Sequence, residues 1–418
     1  MDTRASAAAV RSGRGGGPSV HTAGTVLAAL GLLAAACSSG AHGKSAAQAG
    51  GGAAPSAGGA ALAGSVWPAF EGDARHGAAA SVAGPRHGDV RWTRKLEGAV
   101  TPGAVVGPDG TIYAASNGGV LHALDPRSGA DRWSFDGGGS YGSDLSTAPA
   151  VLSDGSVLWP GPHDTLFALD AAGRLRWQRR FESFVLSPLV GAGGRLYIME
   201  MNGRLHAFDL LADGLRERWV SSLGTHDTSF GSPALGDDGT IYTTIGNRIV
   251  ALRDDGRHAT ILWHFDIHSG TEVSPAVSRE GVAVFGTNDA FEYGLGRDGR
   301  VRWRYPRNSL SYSSPVVTAD GLAYFGDHNG FMNVVHAADG SLVARYQGGD
   351  EVWTAAAVDR DRNAYFGTKG GHVLGYSFAG TKLFDVDTGG TVDSYPALTA
   401  DGTLLVGSAS GTLYAIHG

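Results

Sequence analysis

Three histidines in this chain stand beside aspartates, in the pairs His163-Asp164, His226-Asp227 and Asp327-His328. Such pairs suit proton transfer or metal ligation. They fall in equivalent loops of a repeated pattern but several repeats apart, which argues against one shared metal. A second group recurs in phase with them: Asp144, Glu272, Tyr312, Asp350, Glu351, Trp353, Asp393 and Tyr395. Carboxylates interleaved with aromatic rings form the chemistry of a cationic ligand, a sugar or an extended peptide, and with the histidines they also offer acid and base groups. Ser187, Ser232, Ser274 and Ser314 each precede a proline, outside any Gly-x-Ser-x-Gly context, so none reads as a nucleophile. The chain has no phosphate-binding glycine loop, no His-Glu-x-x-His and no cysteine-based metal spacing.

The elements that must position these residues repeat. A Ser/Thr-Pro step or its relaxed copy occurs at Thr101-Pro102, Ala148-Pro149, Ser187-Pro188, Ser232-Pro233, Ser274-Pro275, Ser314-Pro315, Thr354-Ala355 and Tyr395-Pro396, at spacings of 39 to 47 residues. After each comes a short apolar run and a tight turn such as Asp109-Gly110 or Asp401-Gly402, then a β run such as Thr240-Ile-Tyr-Thr-Thr. Asp-Gly between apolar runs is a hairpin signal, because the turn needs positive φ. A second turn, a run of the type Leu-His-Ala-Leu-Asp and a strand carrying an aromatic residue complete the unit. That aromatic is Trp133, Trp177, Trp219, Trp263 and Trp303 in turn, then Tyr346 and Phe384. A period near forty with four short strands predicts a β-propeller. The eighth unit stops at Gly418 without its fourth strand, and Val90-Arg-Trp92-Thr-Arg-Lys-Leu matches the missing piece. The expectation is an all-β, eight-bladed propeller of four-stranded antiparallel blades over residues 66–418, its last blade closed by a strand at about 90–96. The repeated tryptophans, Trp92 included, are expected to dock blade on blade. Asn117, Asn202 and Asn329 sit in Asn-Gly turns and read as turn formers.

Loops joining the fourth strand to the next first strand, and the second to the third, emerge on one face of such a ring. The candidate mouth therefore gathers Asp144, His163, His226, Asp227, Glu272, Tyr312, His328, Asp350, Glu351, Trp353, Asp393 and Tyr395, with Lys369 in a hairpin loop beside them.

Net charge is −7 for the whole chain, and residues 66–418 carry 29 basic against 39 acidic side chains. That balance argues against nucleic acid or a polybasic membrane contact. Cys37 is the sole cysteine, which excludes an intramolecular disulfide. Arg4, Arg11 and Arg14 precede an apolar run, Gly24 to Ala36, too short to span a bilayer comfortably, and small residues lead into Cys37-Ser-Ser-Gly. This resembles a bacterial lipoprotein signal peptide over residues 1–36, with Cys37 acylated; an ordinary secretory signal with an incidental cysteine is the alternative. Residues 37–65, rich in Ala, Gly and Ser, read as a disordered tether.

The Ser/Thr-Pro step, Asp-Gly-Thr-Ile-Tyr, Gly-x-Leu-x-Ala-Leu-Asp and Gly-x-x-x-Trp together resemble the pyrroloquinoline-quinone-type propeller repeat, and Trp67-Pro68-x-Phe70-x-x-Asp73-x-x-His76-x-Gly is similar to the segment that precedes blade one in such chains. Quinoprotein dehydrogenases of this family bind the quinone with Ca²⁺; no residues here match their Glu, Asn and Asp calcium ligands, and no vicinal cysteine pair exists. No cofactor is therefore expected. The resemblance is nearer the non-catalytic subgroup of the outer-membrane assembly scaffold lipoprotein. It implies an exported, membrane-anchored, monomeric binding protein or scaffold for a protein or a cell-envelope polymer. The competing reading is an enzyme at the channel mouth, either a divergent quinone-dependent oxidoreductase or a lyase or hydrolase using carboxylate and histidine groups.

Overall fold

The computed structural model describes residues 61–418 except 102, 141–146, 225–227, 229, 308–309 and 311. Cys37, the signal segment 1–36, tether residues 37–60, Asp144, His226 and Asp227 thus lie outside the described residues. The strands form eight separate four-stranded antiparallel sheets. In blade one the inner strand Val105–Val106 is followed by Ile112–Ala115, Val120–Leu124 and the outer strand Asp131–Asp136. Blades two to seven repeat that order. Blade eight takes Ala397–Leu398, Leu404–Gly407 and Thr412–His417 from the C-terminus and its outer strand, Asp89–Lys95, from the N-terminal side. The register sets Trp92 opposite Ala415 and Arg94 opposite Leu413. The predicted ring and its closing strand are both present.

The second and third strands are almost wholly buried, while the outer strands alternate, as in Asp131–Asp136, where only the residues packed on the next blade are shielded. The tryptophans account for that pattern. Trp92, Trp133, Trp263 and Trp303 donate their indole N–H to the carbonyls of Pro126, Ala171, Arg297 and Ala337, at 2.7–3.0 Å, each in the turn before the following blade's outer strand. Trp219 donates instead to the Asp254 carboxylate at 2.7 Å. The ring needs a surface without a side chain to lie on. A Cβ on Gly129 would stand 2.5 Å from the Trp92 ring, and one on Gly299 would stand 2.7 Å from Trp263. Trp177 packs beside the apolar cluster between blades two and three.

The Ser-Pro step has its own physical role. The Ala148 N–H donates to Ser187 Oγ, Ser187 N–H to Ser232 Oγ, Ser232 N–H to Ser274 Oγ and Ser274 N–H to Ser314 Oγ, at 2.9–3.2 Å. Ser314 Oγ in turn lies 3.4 Å from the Tyr395 hydroxyl. The serines form a hydrogen-bonded belt around the channel, each satisfying a buried backbone donor of the blade before it.

At the opposite ends of the inner strands, residues 61–80 fill the channel. The N–H groups of Val106, Val151, Leu235, Val277, Val317 and Val358 donate to the carbonyls of Trp67, Pro68, Ala74, Arg75, His76 and Ala78. Residues 61–65, expected in the tether, already belong to this plug: Ala63 N–H donates to Val151 O, and Ser153 N–H donates to Ala61 O. Unpaired inner-strand donors give a segment without regular structure a fixed seat.

Replacing Ser274 by alanine removes the acceptor of the buried Ser232 N–H and is expected to cost about 1–3 kcal/mol in denaturant unfolding. A loss under about 0.3 kcal/mol would mean the belt is ornamental to stability.

Candidate functional site

With one end plugged, the channel becomes a blind funnel of about 500 Å³ that opens on the predicted mouth. Phe70 of the plug and Tyr395 meet edge to face at 5.0 Å in its floor. Thr101, Thr147, Ser274 and Ser314 contribute hydroxyls to its walls, and Phe230, Glu272, Tyr312, Trp353, Lys369 and Asp393 line it further. Of the sequence candidates, Glu272, Tyr312, Trp353, Asp393 and Tyr395 thus share one cavity.

Trp353 is the centre of that wall. His328 stacks on it at 5.2 Å with an 18° tilt, and Tyr312 meets it edge-on at 4.8 Å. The Lys369 ammonium sits 3.7 Å from the indole centroid and 3.8 Å from Asp393 Oδ1. The indole N–H donates to Glu351 Oε2 at 2.8 Å, and the Lys369 N–H donates to the Glu351 carbonyl at 2.9 Å. Asp350 Oδ1 accepts the Glu351 N–H at 2.7 Å. Burial lowers the pKa of His328 despite the Glu351 charge, so its imidazole is neutral at pH 7.

His163 goes elsewhere. His163 and Asp164 have φ of 58° and 57°, left-handed backbone in the three-residue hairpin loop 162–164 of blade two. The imidazole Nε2 lies 3.1 Å from the Gly138 carbonyl, outside the funnel lining. The aspartate beside it is a turn residue, so this pair carries no proton-transfer geometry. Among the described residues no three His, Cys, Asp or Glu side chains come together as a metal site. Among the described residues, the tryptophan that lines the funnel, Trp353, is already engaged by His328 and Lys369 and has no group of three His, Cys, Asp or Glu side chains beside it, so no match to a quinone with Ca²⁺ is found there.

Two buried acids escape a reading based on loops. Glu71, only 2% exposed, lies beneath the floor with φ of 48°; His76 and Ala78 follow at 61° and 38°. Glu71 Oε2 is 3.5 Å from His76 Nδ1, which itself meets the Pro275 carbonyl at 2.8 Å. Burial, reinforced by Asp73, holds the Glu71 carboxyl well above the usual carboxylate range, and burial pushes His76 down to about 4. Burial thus disfavours the charged form of both groups. In blade five, Glu292 and Arg307 face each other at 3.3 Å with no exposure, and burial raises Glu292 to about 8 against the pull of Arg307. Arg307 Nη2 donates to the carbonyls of Thr287 and Phe291, and its own carbonyl accepts from Asn329 Nδ2, so the pair pins a mouth loop.

The family model described as Outer membrane protein assembly factor BamB, of the PQQ type, matches residues 77–145, 138–226 and 212–417. The chain belongs to that family. Among curated proteins, Outer membrane protein assembly factor BamB of Yersinia pestis is 24% identical over 225 residues, covering 50% of this chain and 54% of that protein. The chain thus spans about half the length of the curated relative it matches. Three solved structures share the fold. Quinohemoprotein alcohol dehydrogenase from Comamonas testosteroni has a TM-score of 0.66 at 15% identity, over 84% of this chain and 80% of that one. BamB from Moraxella catarrhalis has 0.62 at 15%, over 79% and 99%. Sqt1 from Saccharomyces cerevisiae has 0.64 at 10%, over 80% and 99%. A dehydrogenase and an assembly factor on one architecture leave the choice of function to the site.

The sign of the Glu71 shift gives a test. Its folded pKa exceeds its unfolded one, so its contribution to stability is complete below about pH 4.5 and is lost as pH rises through the folded value. Glu71→Gln is expected to shrink the fall in Tm between about pH 5 and about pH 9. Parallel melting curves for the two proteins would show that Glu71 titrates as a solvated carboxylate.

Proposed function

We propose that this protein is an exported, lipid-anchored, non-catalytic scaffold that holds a protein partner of the cell envelope against its funnel mouth. The observation that carries this reading is the mutual engagement of the mouth groups. Glu351 holds the Trp353 indole, His328 stacks on it, the Lys369 ammonium lies over it, and Asp393 faces that ammonium. A reactive site keeps a base poised toward an empty position where substrate will react. Here Glu351, Trp353, Lys369 and Asp393 engage one another, which builds a patterned surface of the kind that recognises a partner with little loss of side-chain freedom.

Membership of the family whose model bears an assembly-factor name supports the same reading, and the name of the Yersinia pestis relative extends it to outer-membrane protein assembly as the process served. Acylation of Cys37 would place the propeller at a membrane surface, reached through the 37–60 tether. The acidic body favours a neutral or basic partner segment, and Glu272 and Asp393 put that preference at the cavity itself.

Two outcomes follow. The combined Asp350→Ala, Glu351→Ala and Trp353→Ala chain is expected to lose about tenfold in recovery of cross-linked envelope proteins, with its far-UV spectrum retained. Undiminished recovery would discredit the mouth. Cys37→Ala is expected to move the protein from the membrane to the soluble fraction of the cell; equal membrane retention would end the lipid-anchor assignment.

A further inference from the structure

The outer strands of the blades are sheet edges, and seven of the eight carry a basic side chain. Each of the eight pairs with the third strand through a bulge, which falls just before the aromatic residue in every blade but six, where it falls at Val343, before Ala344. The extra residue is Arg91, Arg132, Arg176, Arg218 or Arg302 in five blades. Four of these arginines are clamped: Arg91 to Asp401, Arg132 to Asp109, Arg176 to Asp154 and Arg218 to Asp209, at 2.6–3.0 Å. The outer strands of blades six and seven, Leu342–Gln347 and Lys382–Asp387, lack the bulge arginine but contain Arg345 and Lys382. A charge on an edge discourages another strand from adding to it.

Blade four departs from this rule. Its outer strand Ala259–Asp266 reads Ala-Thr-Ile-Leu-Trp-His-Phe-Asp and contains no lysine or arginine. Leu262 occupies the bulge, and the aspartate that would clamp an arginine there, Asp238, is taken by Arg297 of the next blade at 2.7 Å. Ile261 and Leu262 are 51% and 42% exposed, the one adjacent pair of large exposed apolar side chains among the described residues. Only Arg248–Asp254 neighbours this strand in its sheet, so its other edge has no strand partner among the described residues.

We propose that this edge is a second docking surface, which takes an extended strand of a partner polypeptide as a fifth strand on blade four. The main-chain row of an edge strand is complementary to extended backbone and to little else, and Ile261 and Leu262 add apolar contacts that fix the position along it. The occupant is a neutral or basic partner segment and not a second copy, because two bodies that each carry net negative charge repel one another. The inference does not rest on the mouth: a strand on the outer edge of blade four and a partner over the funnel use separate surfaces, so one scaffold can hold two segments.

The test uses the full-length protein in detergent micelles and a synthetic peptide of about ten residues, alternating valine and threonine between terminal lysines. Amide exchange is followed by mass spectrometry. The peptide is expected to slow exchange in residues 259–266 by about tenfold or more and to leave the other outer strands unchanged. Leu262→Arg restores the residue found at this bulge in five sister blades, so the fold is retained, and it is expected to abolish the slowing; Ile261→Lys should do the same. No slowing, equal slowing in every outer strand, or slowing that survives Leu262→Arg would overturn the proposal. So would slowing that grows with protein concentration without peptide, which would make a second copy the occupant, or slowing produced by lipid vesicles alone. The triple alanine change at Asp350, Glu351 and Trp353 is expected to leave peptide protection intact, which separates this surface from the mouth.

Discussion

Antiparallel pairing between Asp89–Lys95 and Thr412–His417 is the constraint from which the rest follows. A four-stranded blade is apolar on both faces and cannot stand alone, so each needs a neighbour on either side. A row of such sheets satisfies every member only when it closes. Making the last blade from both ends of the propeller ties that closure to the backbone, and the Trp92 indole then carries it on to blade one through the Pro126 carbonyl. The serine belt repeats the same logic on the inside of the ring, since each hydroxyl accepts from the blade before it. With blades held at both radii, the loops on the mouth face are carried on a hydrogen-bonded frame.

A closed ring leaves one further problem, the channel. The last backbone N–H groups of the inner strands face it and would be buried unsatisfied. The segment from Ala61 to Ala80 supplies their acceptors, and its route accounts for left-handed backbone at Glu71, His76 and Ala78, residues that rarely adopt it. The funnel is blind because of this segment, and its floor is Phe70 because of where the segment turns. The raised Glu71 and lowered His76 are the electrostatic counterpart: burial away from water disfavours the charged form of each.

The blades and their closure were legible because they rest on short-range turn chemistry repeated many times. Asp109-Gly110 needs positive φ wherever it occurs, and Gly110 has it at 81°. The plug was visible only as a motif, Trp67-Pro-x-Phe, without a destination, since nothing local says which carbonyl will meet Val317. The paired histidine and aspartate at 163 and 164 looked like chemistry and are a turn, because the residue types that donate protons also tolerate left-handed backbone. Glu292 was hidden differently. It stands where sister blades place Leu121, Met332, Val373 and Leu413, opposite the last residue of the second strand, and its partner Arg307 comes from beyond the outer strand. At the mouth, sequence gathered Trp353, Glu351 and Asp393 correctly to one place, but their engagement with each other and with Lys369 depends on side-chain directions that spacing does not encode.

The claim on which the account turns is that the N-terminal segment is an integral part of the ring, closing its edge and stopping its channel. Native-state hydrogen exchange resolved at single amides tests it most directly. The account predicts that the N–H groups of Val106, Val151, Leu235, Val277, Val317 and Val358 exchange as slowly as those in the third strands, because each is bonded to the plug. Exchange of these six amides at the rate of the exposed turns would show a channel open from end to end, and the account would fall.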